Sequence, residues 1–462
     1  MQDVVKKILK SVNDVIGNVN SMQELMDWIS DLTQATEVSI EECSIDNDSF
    51  WFYDEVNGEV LNRKRSFFSI KGIQEYADGK LFKEQPIIVQ PEIGYLGIIC
   101  QEIDGVMNFL MQAKIEPGNI NGVQISPTIQ ATKSNFTRAH GGKMPPYFEY
   151  FEKADEYGIL YDQIQSEQGS RFFRKRNRNM LVWVQDSIEI LPNYRWMTLG
   201  QIKKLMRCDN LVNMDTRTVV SGITYTGTGL QPIADSSLFR HTKPSWVKSL
   251  LYSETHDEML RIYHYINDYK MFHNGARILV PLNHLTTWRV DPNGIYCNNP
   301  ADFEVRYYDI SINGREVQNW TQPLFKAIGS ATLGIIMKEI GGIMKILVSA
   351  RPEIGVFDRI EIGPAIQWTP LHPAECDNSV DTLFRRKLAA SEGIIADVKL
   401  SEEGGRFYHE ENRNVLMEIE SCELNDLPKG YFWASLGTLD RLMQVNNCLN
   451  IQLRNLLSLI EW

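Results

Sequence analysis

YLGIICQEIDGVMNFLMQAKIEPGNINGVQISPTIQAT, residues 95–132, aligns without a gap to TLGIIMKEIGGIMKILVSARPEIGVFDRIEIGPAIQWT, residues 332–369. The offset is 237 (332 minus 95), and 17 of the 38 aligned positions are identical. Chance would leave about two or three, so the chain is a tandem duplication. The likeness runs outward from this segment. Gln85-Pro86 matches Gln322-Pro323, Trp51 matches Trp288, and Arg217 matches Arg454. SEQGSRFFRKRNRNML (166–181) matches SEEGGRFYHEENRNVL (401–416), and YRWMTLGQIKKLM (194–206) matches YFWASLGTLDRLM (431–443). Within each copy GIICQEI and VMNFLMQAK alternate as strands do, and Asp104-Gly105 or Gly341-Gly342 suits a two-residue hairpin turn. Thr198 and Ser435 precede LGQIKKLM and LGTLDRLM as helix N-caps. The expectation is an α+β chain with two copies of one module, 36–230 and 275–462, each a mixed or antiparallel sheet with flanking helices. Residues 1–35 begin with an amphipathic helix (Val4, Val5, Ile8, Leu9, Val12, Ile16), and 231–274 form a helical connector with helical periodicity over 244–272.

A chain of 462 residues exceeds one core and suggests about three domains by length. Its 43% hydrophobic and 23% charged content is that of a globular protein. No apolar run reaches the roughly 18 residues that cross a bilayer, so no membrane span is expected. Asp3 and Asp14 interrupt any signal-peptide core, which points to the cytoplasm. Seven scattered cysteines without a Cys-x-x-Cys fit reduced thiols, with no metal site or disulfide framework. A net charge of −12 argues against nucleic-acid or acidic-membrane partners, while an anionic small molecule stays possible where basic residues gather.

Paired polar positions are the candidate site. Lys114 and Glu116 recur as Arg351 and Glu353. They form either a surface ion pair or an anchor for an oxyanion beside a proton-handling carboxylate. Gln130 recurs as Gln367, either satisfying backbone groups or reaching a base or sugar hydroxyl. Arg171 and Arg178 recur as Arg406 and Arg413, and Arg174, Lys175 and Arg176 make the first hairpin the more cationic. That hairpin is either a solvated turn or an edge facing a diphosphate. Copy one alone has NFTRAHGGKMPPYFEYF (135–151) with His140, Tyr147 and Glu149, whereas copy two has HPAECDNSVDTLFRRK, a helical pattern. TGTGL (226–230) resembles a phosphate loop, but Pro232 follows where a helix should start. His256 and His264 lie eight apart on the connector and read as surface residues.

QPEIGYLGIICQEIDGVMNFLMQAKIEPGNINGVQISPTIQATKSN, the PPYFEYF that follows, NWTQP (319–323) and the duplication closely resemble the NDP-hexose 2,3-dehydratases over nearly the whole chain. The resemblance implies two Nudix-like modules per subunit, a homodimer, no metal and no cofactor. It also implies a dTDP-linked 4-keto-6-deoxyhexose as substrate. Copy two departs from the pattern, with Ser349 at the place of Gln112 and EIGV at the place of EPGN. Neither copy carries the carboxylate-rich helix with which a Nudix hydrolase holds magnesium, so diphosphate hydrolysis is not expected.

In such a substrate the C4 ketone acidifies the C3 proton, and the C2 hydroxyl is a β leaving group. The site then needs a base, a donor to the C4 oxygen and an acid for the departing hydroxide. The 3,4-diketo-2,6-dideoxy product calls for a downstream NAD(P)H-dependent 3-ketoreductase. The expectation puts Glu116 or His140 on proton transfer and Lys114 on the oxyanion. Gln130, Tyr147, Gln112 and Asn119 orient the sugar, and Arg171 and Arg178 face the diphosphate. Arg351, Glu353, Gln367, Arg406 and Arg413 form the accessory counterpart. A non-catalytic sugar-nucleotide-binding protein, or another 4-keto-sugar lyase or epimerase, fits the same residues.

Overall fold

Alternation along LGII builds the centre of each copy. In the strand Gly94–Ile103, Leu96, Ile98 and Cys100 enter one core while Ile99 enters another on the opposite face. Leu333, Ile335 and Met337 repeat this in Thr332–Ile340, with Ile336 on the far side. Each strand turns back through a tight hairpin. Asp104 and Gly105 take φ of 51° and 79°, and Gly341 and Gly342 take 59° and 75°, the positive-φ pair that a type I′ turn demands.

The computed structural model describes residues 2–137, 144–225, 237–239, 242–252, 255–314, 317–371 and 378–461. Two seven-stranded mixed sheets dominate. In copy one the order is Gly158–Ser166, Arg176–Trp183, Gly94–Ile103, Val106–Ile115 and Tyr194–Thr198. Arg176–Trp183 runs parallel to Gly94–Ile103 and the other neighbours are antiparallel. Val123–Ser126 and Ile129–Ala131 extend the two central strands. Copy two repeats this with Ile394–Ser401, Glu411–Glu418, Thr332–Ile340 and Ile343–Pro352.

The inner faces of both large sheets share one core, to which Leu96, Ile98, Leu333 and Ile335 all contribute. Two smaller sheets pack beside them, and here the copies exchange strands. Val38–Cys43 of copy one pairs with Phe303–Ile312 of copy two, while Gly275–Val280 of copy two pairs with Ser69–Ala77 of copy one. The exchanged strands are equivalents (38 plus 237 is 275). The exchanged strands interlock the two copies. Alternation says which face of a strand is buried but not which neighbour it joins.

The helices follow the same symmetry. Thr198 and Ser435 are N-caps, as expected, each accepting from a backbone N–H three residues on. Ser11 of the helix Gln2–Asn13 accepts from Leu199 N at 2.7 Å, and Ser249 of the helix Pro244–Leu250 accepts from Leu436 N at 2.8 Å. Helices Met22–Ala35 and His256–Phe272 pack on Val123–Ser126 and Ile360–Pro364 respectively. The connector thus does for copy two what the N-terminal helices do for copy one. His264 is exposed on it, 3.6 Å from Asp268.

At the centre, helices Met214–Ser221 and Ile451–Ser458 pack on each other. Arg217 and Arg454, each only 1% exposed, tie the copies together. Arg217 donates to Val212 O at 2.8 Å and across to Ser401 O at 2.7 Å. Arg454 donates to Thr218 Oγ1 and Ser166 O of copy one.

Candidate active site

The turn after the strand Val106–Ile115 does not face solvent. Gly118 N donates to Gly404 O at 2.7 Å, and Gly118 O accepts from His409 N at 3.0 Å. A Cβ on Gly118 would sit 1.6 Å from Phe407 O, so only glycine allows this approach. The mirror contact is equally tight. Gly355 N donates to Gly169 O and Gly355 O accepts from Arg174 N, both at 2.7 Å. The turn of each copy docks on the hairpin of the other, and two composite sites result.

In the first, Lys114 Nζ lies 2.9 Å from Glu116 Oε1, and Gln130 Nε2 donates to the same oxygen at 3.1 Å. Asn213 Nδ2 contacts Gln130 Oε1 at 3.3 Å and Ser126 Oγ at 3.0 Å, while its own Oδ1 caps the helix Met214–Ser221. Lys114, Glu116 and Gln130 thus form one chain, buried at Glu116 and half-buried at its two ends, not a surface pair and a separate glutamine. Glu403 of copy two faces them. Burial pushes its carboxyl up to about 7, with Glu116 adding to the shift and Arg406 opposing it. Asp215 is 2% exposed, and its Oδ1 has no hydrogen-bond partner among the described residues. Burial, then Glu403, Glu167 and Glu116, hold it well above the usual carboxylate range. Glu167 is likewise raised to about 7 by burial and Glu403. Lys175 donates to Glu92 O at 2.6 Å, and burial lowers it to about 8.

The second site keeps the frame but has amides at the places of Glu403 and Asp215. Gln367 Nε2 donates to Glu353 Oε1 at 2.9 Å, and Asn450 Nδ2 contacts Gln367 Oε1 at 3.2 Å. Arg351, however, turns to Ser349 Oγ at 2.7 Å and Ala365 O at 2.7 Å. Ser349 in place of Gln112 thus takes the cation away from the carboxylate. Gln168 stands where the other hairpin has Glu403 (168 plus 235), and Gln452 stands where copy one has Asp215 (215 plus 237). Glu353 remains in the second site, its carboxyl raised by burial, without a facing carboxyl at the place of Glu403.

The other candidates lie apart or serve the frame. Gln112 is mid-strand opposite Ser126. Asn119 ties its own turn, donating to Gly122 O at 2.8 Å. Tyr147 is buried among aromatic rings, its hydroxyl donating to Glu189 O at 2.8 Å and accepting from Leu191 N at 3.0 Å. The first hairpin is not a solvated turn, since Glu167 and Lys175 are both buried. Arg171 stacks 4.1 Å over the Phe303 ring, and Arg406 lies 4.2 Å over Phe67 while donating to Gln90 Oε1 at 3.1 Å. Arg178 forms a two-pronged pair with Asp162 (2.7 and 2.5 Å), and Arg413 does so with Asp397 (2.8 and 2.5 Å). These pairs join the edge strands Gly158–Ser166 and Ile394–Ser401 to their neighbours. Arg178→Ala or Arg413→Ala is expected to change the unfolding free energy by less than about 1 kcal/mol in urea titrations. His140 and TGTGL lie outside the described residues, as do 372–377 ahead of the helix Ser379–Ala390. Asn213, Asp215, Glu167 and Glu403 escaped the sequence reading. Their signals were the paired asparagines of NMDTR and NIQLR, and SEEGG against SEQGS.

Buried carboxyls of raised proton affinity give the fold a pH dependence. Glu167, Glu403 and Glu410 are raised to about 7 and Glu361 to about 8, all from 4.5. Between those limits the folded chain binds protons that the unfolded chain has lost, so these groups stabilise least once pH has risen through the folded values. Lys175 and Lys203, lowered to about 8 from 10.5, act only above that range. Thermal melts are therefore expected to show the midpoint falling from about pH 5 to pH 8, with Glu361→Gln flattening the slope.

The sequence model of the family described as NDP-hexose 2,3-dehydratase matches residues 22–223 and 259–460, two stretches at the same offset of 237 (259 minus 22). A dTDP-4-dehydro-6-deoxy-alpha-D-glucopyranose 2,3-dehydratase of Saccharopolyspora spinosa is 36% identical over 93% of this chain and 89% of its own length. Proteins of the same description from Streptomyces violaceoruber and Amycolatopsis orientalis are 34% and 33% identical, over 94% and 99% of this chain and 96% and 94% of their own lengths. Among the described residues no helix is long and apolar enough to cross a membrane.

Proposed function

The chain belongs to the NDP-hexose 2,3-dehydratase family of hydro-lyases, and we propose that it removes water across C2–C3 of dTDP-4-keto-6-deoxy-D-glucose. The observation that carries this reading is the meeting of the Lys114–Glu116 pair with Glu403, whose carboxyl burial raises well above the usual carboxylate range, where the two copies join. Glu116 takes the C3 proton while Lys114 donates a hydrogen bond to the C4 oxygen as enolate character develops. Glu403 protonates the hydroxyl that leaves C2, and the resulting enol ketonises to the 3,4-diketo-2,6-dideoxy sugar. Glu116 ends with one proton more and Glu403 with one fewer, so a single transfer between facing carboxyls resets the site. Gln130 and Asn213 orient Glu116, and the cations Lys114, Lys175 and Arg406 suit an anionic substrate.

The mixed sheet flanked by helices supports a Nudix-like module in each copy. The helix pairs at 2–35 and 244–272 fit as the opening elements of those modules. A homodimer, a cytoplasmic location and coupling to an NAD(P)H-dependent 3-ketoreductase complete the proposal. Incubation with dTDP-4-keto-6-deoxyglucose, with and without such a reductase and NADPH, tests it. A 2-deoxy product supports dehydration. Unchanged substrate would point to mere binding, and a C3 or C5 epimer to another use of the same ketone.

A further inference from the structure

The two hairpins also meet each other, side chain to side chain, and the contact differs on the two sides of the pseudo-two-fold axis. On one side Glu402 holds Asn412 Nδ2 on Oε1 at 2.6 Å and Gln168 Nε2 on Oε2. Residues 167, 168 and 177 correspond to 402, 403 and 412 (offset 235). The reciprocal carboxylate is therefore Glu167, and the place of Gln168 is held by Glu403, whose charge acts on Glu167. Asn177 Nδ2 holds Glu167 Oε2 at 2.7 Å, mirroring Asn412. Glu167 Oε1, the oxygen that corresponds to the one bonded by Gln168, is buried and has no hydrogen-bond partner among the described residues. The amide that fills this place in one half is a second carboxyl in the other. An amide brings its own donor, whereas two carboxylates can make the same contact only if one of them carries a proton.

We propose that Glu167 and Glu403 share one proton across the junction of the copies, Glu167 being the positioning residue that keeps Glu403 protonated for the departure of the C2 hydroxyl. This rests on the reading of Glu403 as proton donor. The groups around the pair fit a single shared proton. Glu402, Arg454 and Lys175 act on Glu167; Glu116, Lys114, Arg406 and Lys175 act on Glu403; Asp215 is the neighbouring buried acid. Both carboxyls are raised to about 7, mainly by burial, which agrees with a pair that retains a proton at neutral pH.

Glu167→Gln tests this, because it rebuilds in this half the amide–carboxylate contact already present in the other. The introduced amide donates to Glu403 and removes the like charge beside it, so Glu403 holds its proton at least about tenfold less tightly. The alkaline limb of the kcat/KM profile is then expected to fall by about one on the pH scale, with kcat at the new optimum within several-fold of the original. A merely structural role would lower activity without moving the limb. An unmoved limb overturns the shared proton. Glu403→Gln separates this from the parent reading: full activity there removes Glu403 as donor, whereas loss of activity with an unmoved Glu167→Gln limb removes only the sharing. If Glu167→Gln does not fold, infrared difference spectra of the unaltered enzyme across about pH 5 to 9 decide. A protonated-carboxyl band titrating near neutrality and missing in Glu403→Gln supports the pair, and its absence from the unaltered enzyme overturns it.

Discussion

Glu403→Gln is expected to lower kcat by about 10²- to 10⁴-fold, the usual contribution of a positioned acid, with KM nearly unchanged. The amide cannot give a proton to a leaving hydroxide, but it matches the carboxyl in size and hydrogen-bonds to Glu167 as Gln168 does to Glu402. Folding should therefore survive, and circular dichroism with a thermal melt would confirm it. Gln168 holds the equivalent position in the other hairpin, direct evidence that this backbone accepts glutamine there. A reductase-coupled assay reads the loss. A fall in kcat with an equal fall in stability would instead mark Glu403 as a packing residue.

Gly118→Ala should be the most damaging backbone change. Its Cβ would fall 1.6 Å from Phe407 O and 2.9 Å from Gly404 O, neither of which is the free end of a side chain. The turn carrying Glu116 must then move off the hairpin carrying Glu403. Both hydrogen bonds of Gly118 across the junction weaken with it. An unfolding penalty of about 3 kcal/mol is expected, the upper part of the range for overpacking, together with a large loss of kcat. Gly355→Ala, whose Cβ would meet Phe172 O at 2.0 Å, provides the comparison. It should cost similar stability yet less turnover, because it opens the site that has amides at the places of Glu403 and Asp215. Denaturant unfolding and steady-state kinetics on the two variants give both quantities. Equal turnover losses would contradict the assignment of chemistry to the first site.

Much of this was legible from the repeat. The offset of 237 marked the central hairpin with its two positive-φ residues, the caps Thr198 and Ser435, and the Lys114, Glu116 and Gln130 chain. Each of these is local, or repeats closely enough to be recognised. The strand exchange was not legible, since Val38–Cys43 carries no mark of pairing with Phe303–Ile312 instead of its own copy. An active first copy with an accessory second was expected, but the acids that distinguish them were missed for the opposite reason. Attention to matched residues raised Arg178 and Arg413, each of which pairs with a carboxylate on the neighbouring edge strand. It passed over Glu403 and Asp215, where the copies differ. Identity between copies reports the shared frame, and the acids lie where that frame was altered.

On the proposed mechanism Glu116 and Lys114 of one copy form the enolate and Glu403 of the other expels the hydroxyl. Proton NMR of dTDP-4-keto-6-deoxyglucose in D₂O with Glu403→Gln tests this division most directly. The C3 proton is expected to exchange for deuterium while no 2-deoxy product forms, and Glu116→Gln is expected to abolish both. Elimination at the unaltered rate by Glu403→Gln, or exchange that persists in Glu116→Gln, would contradict it.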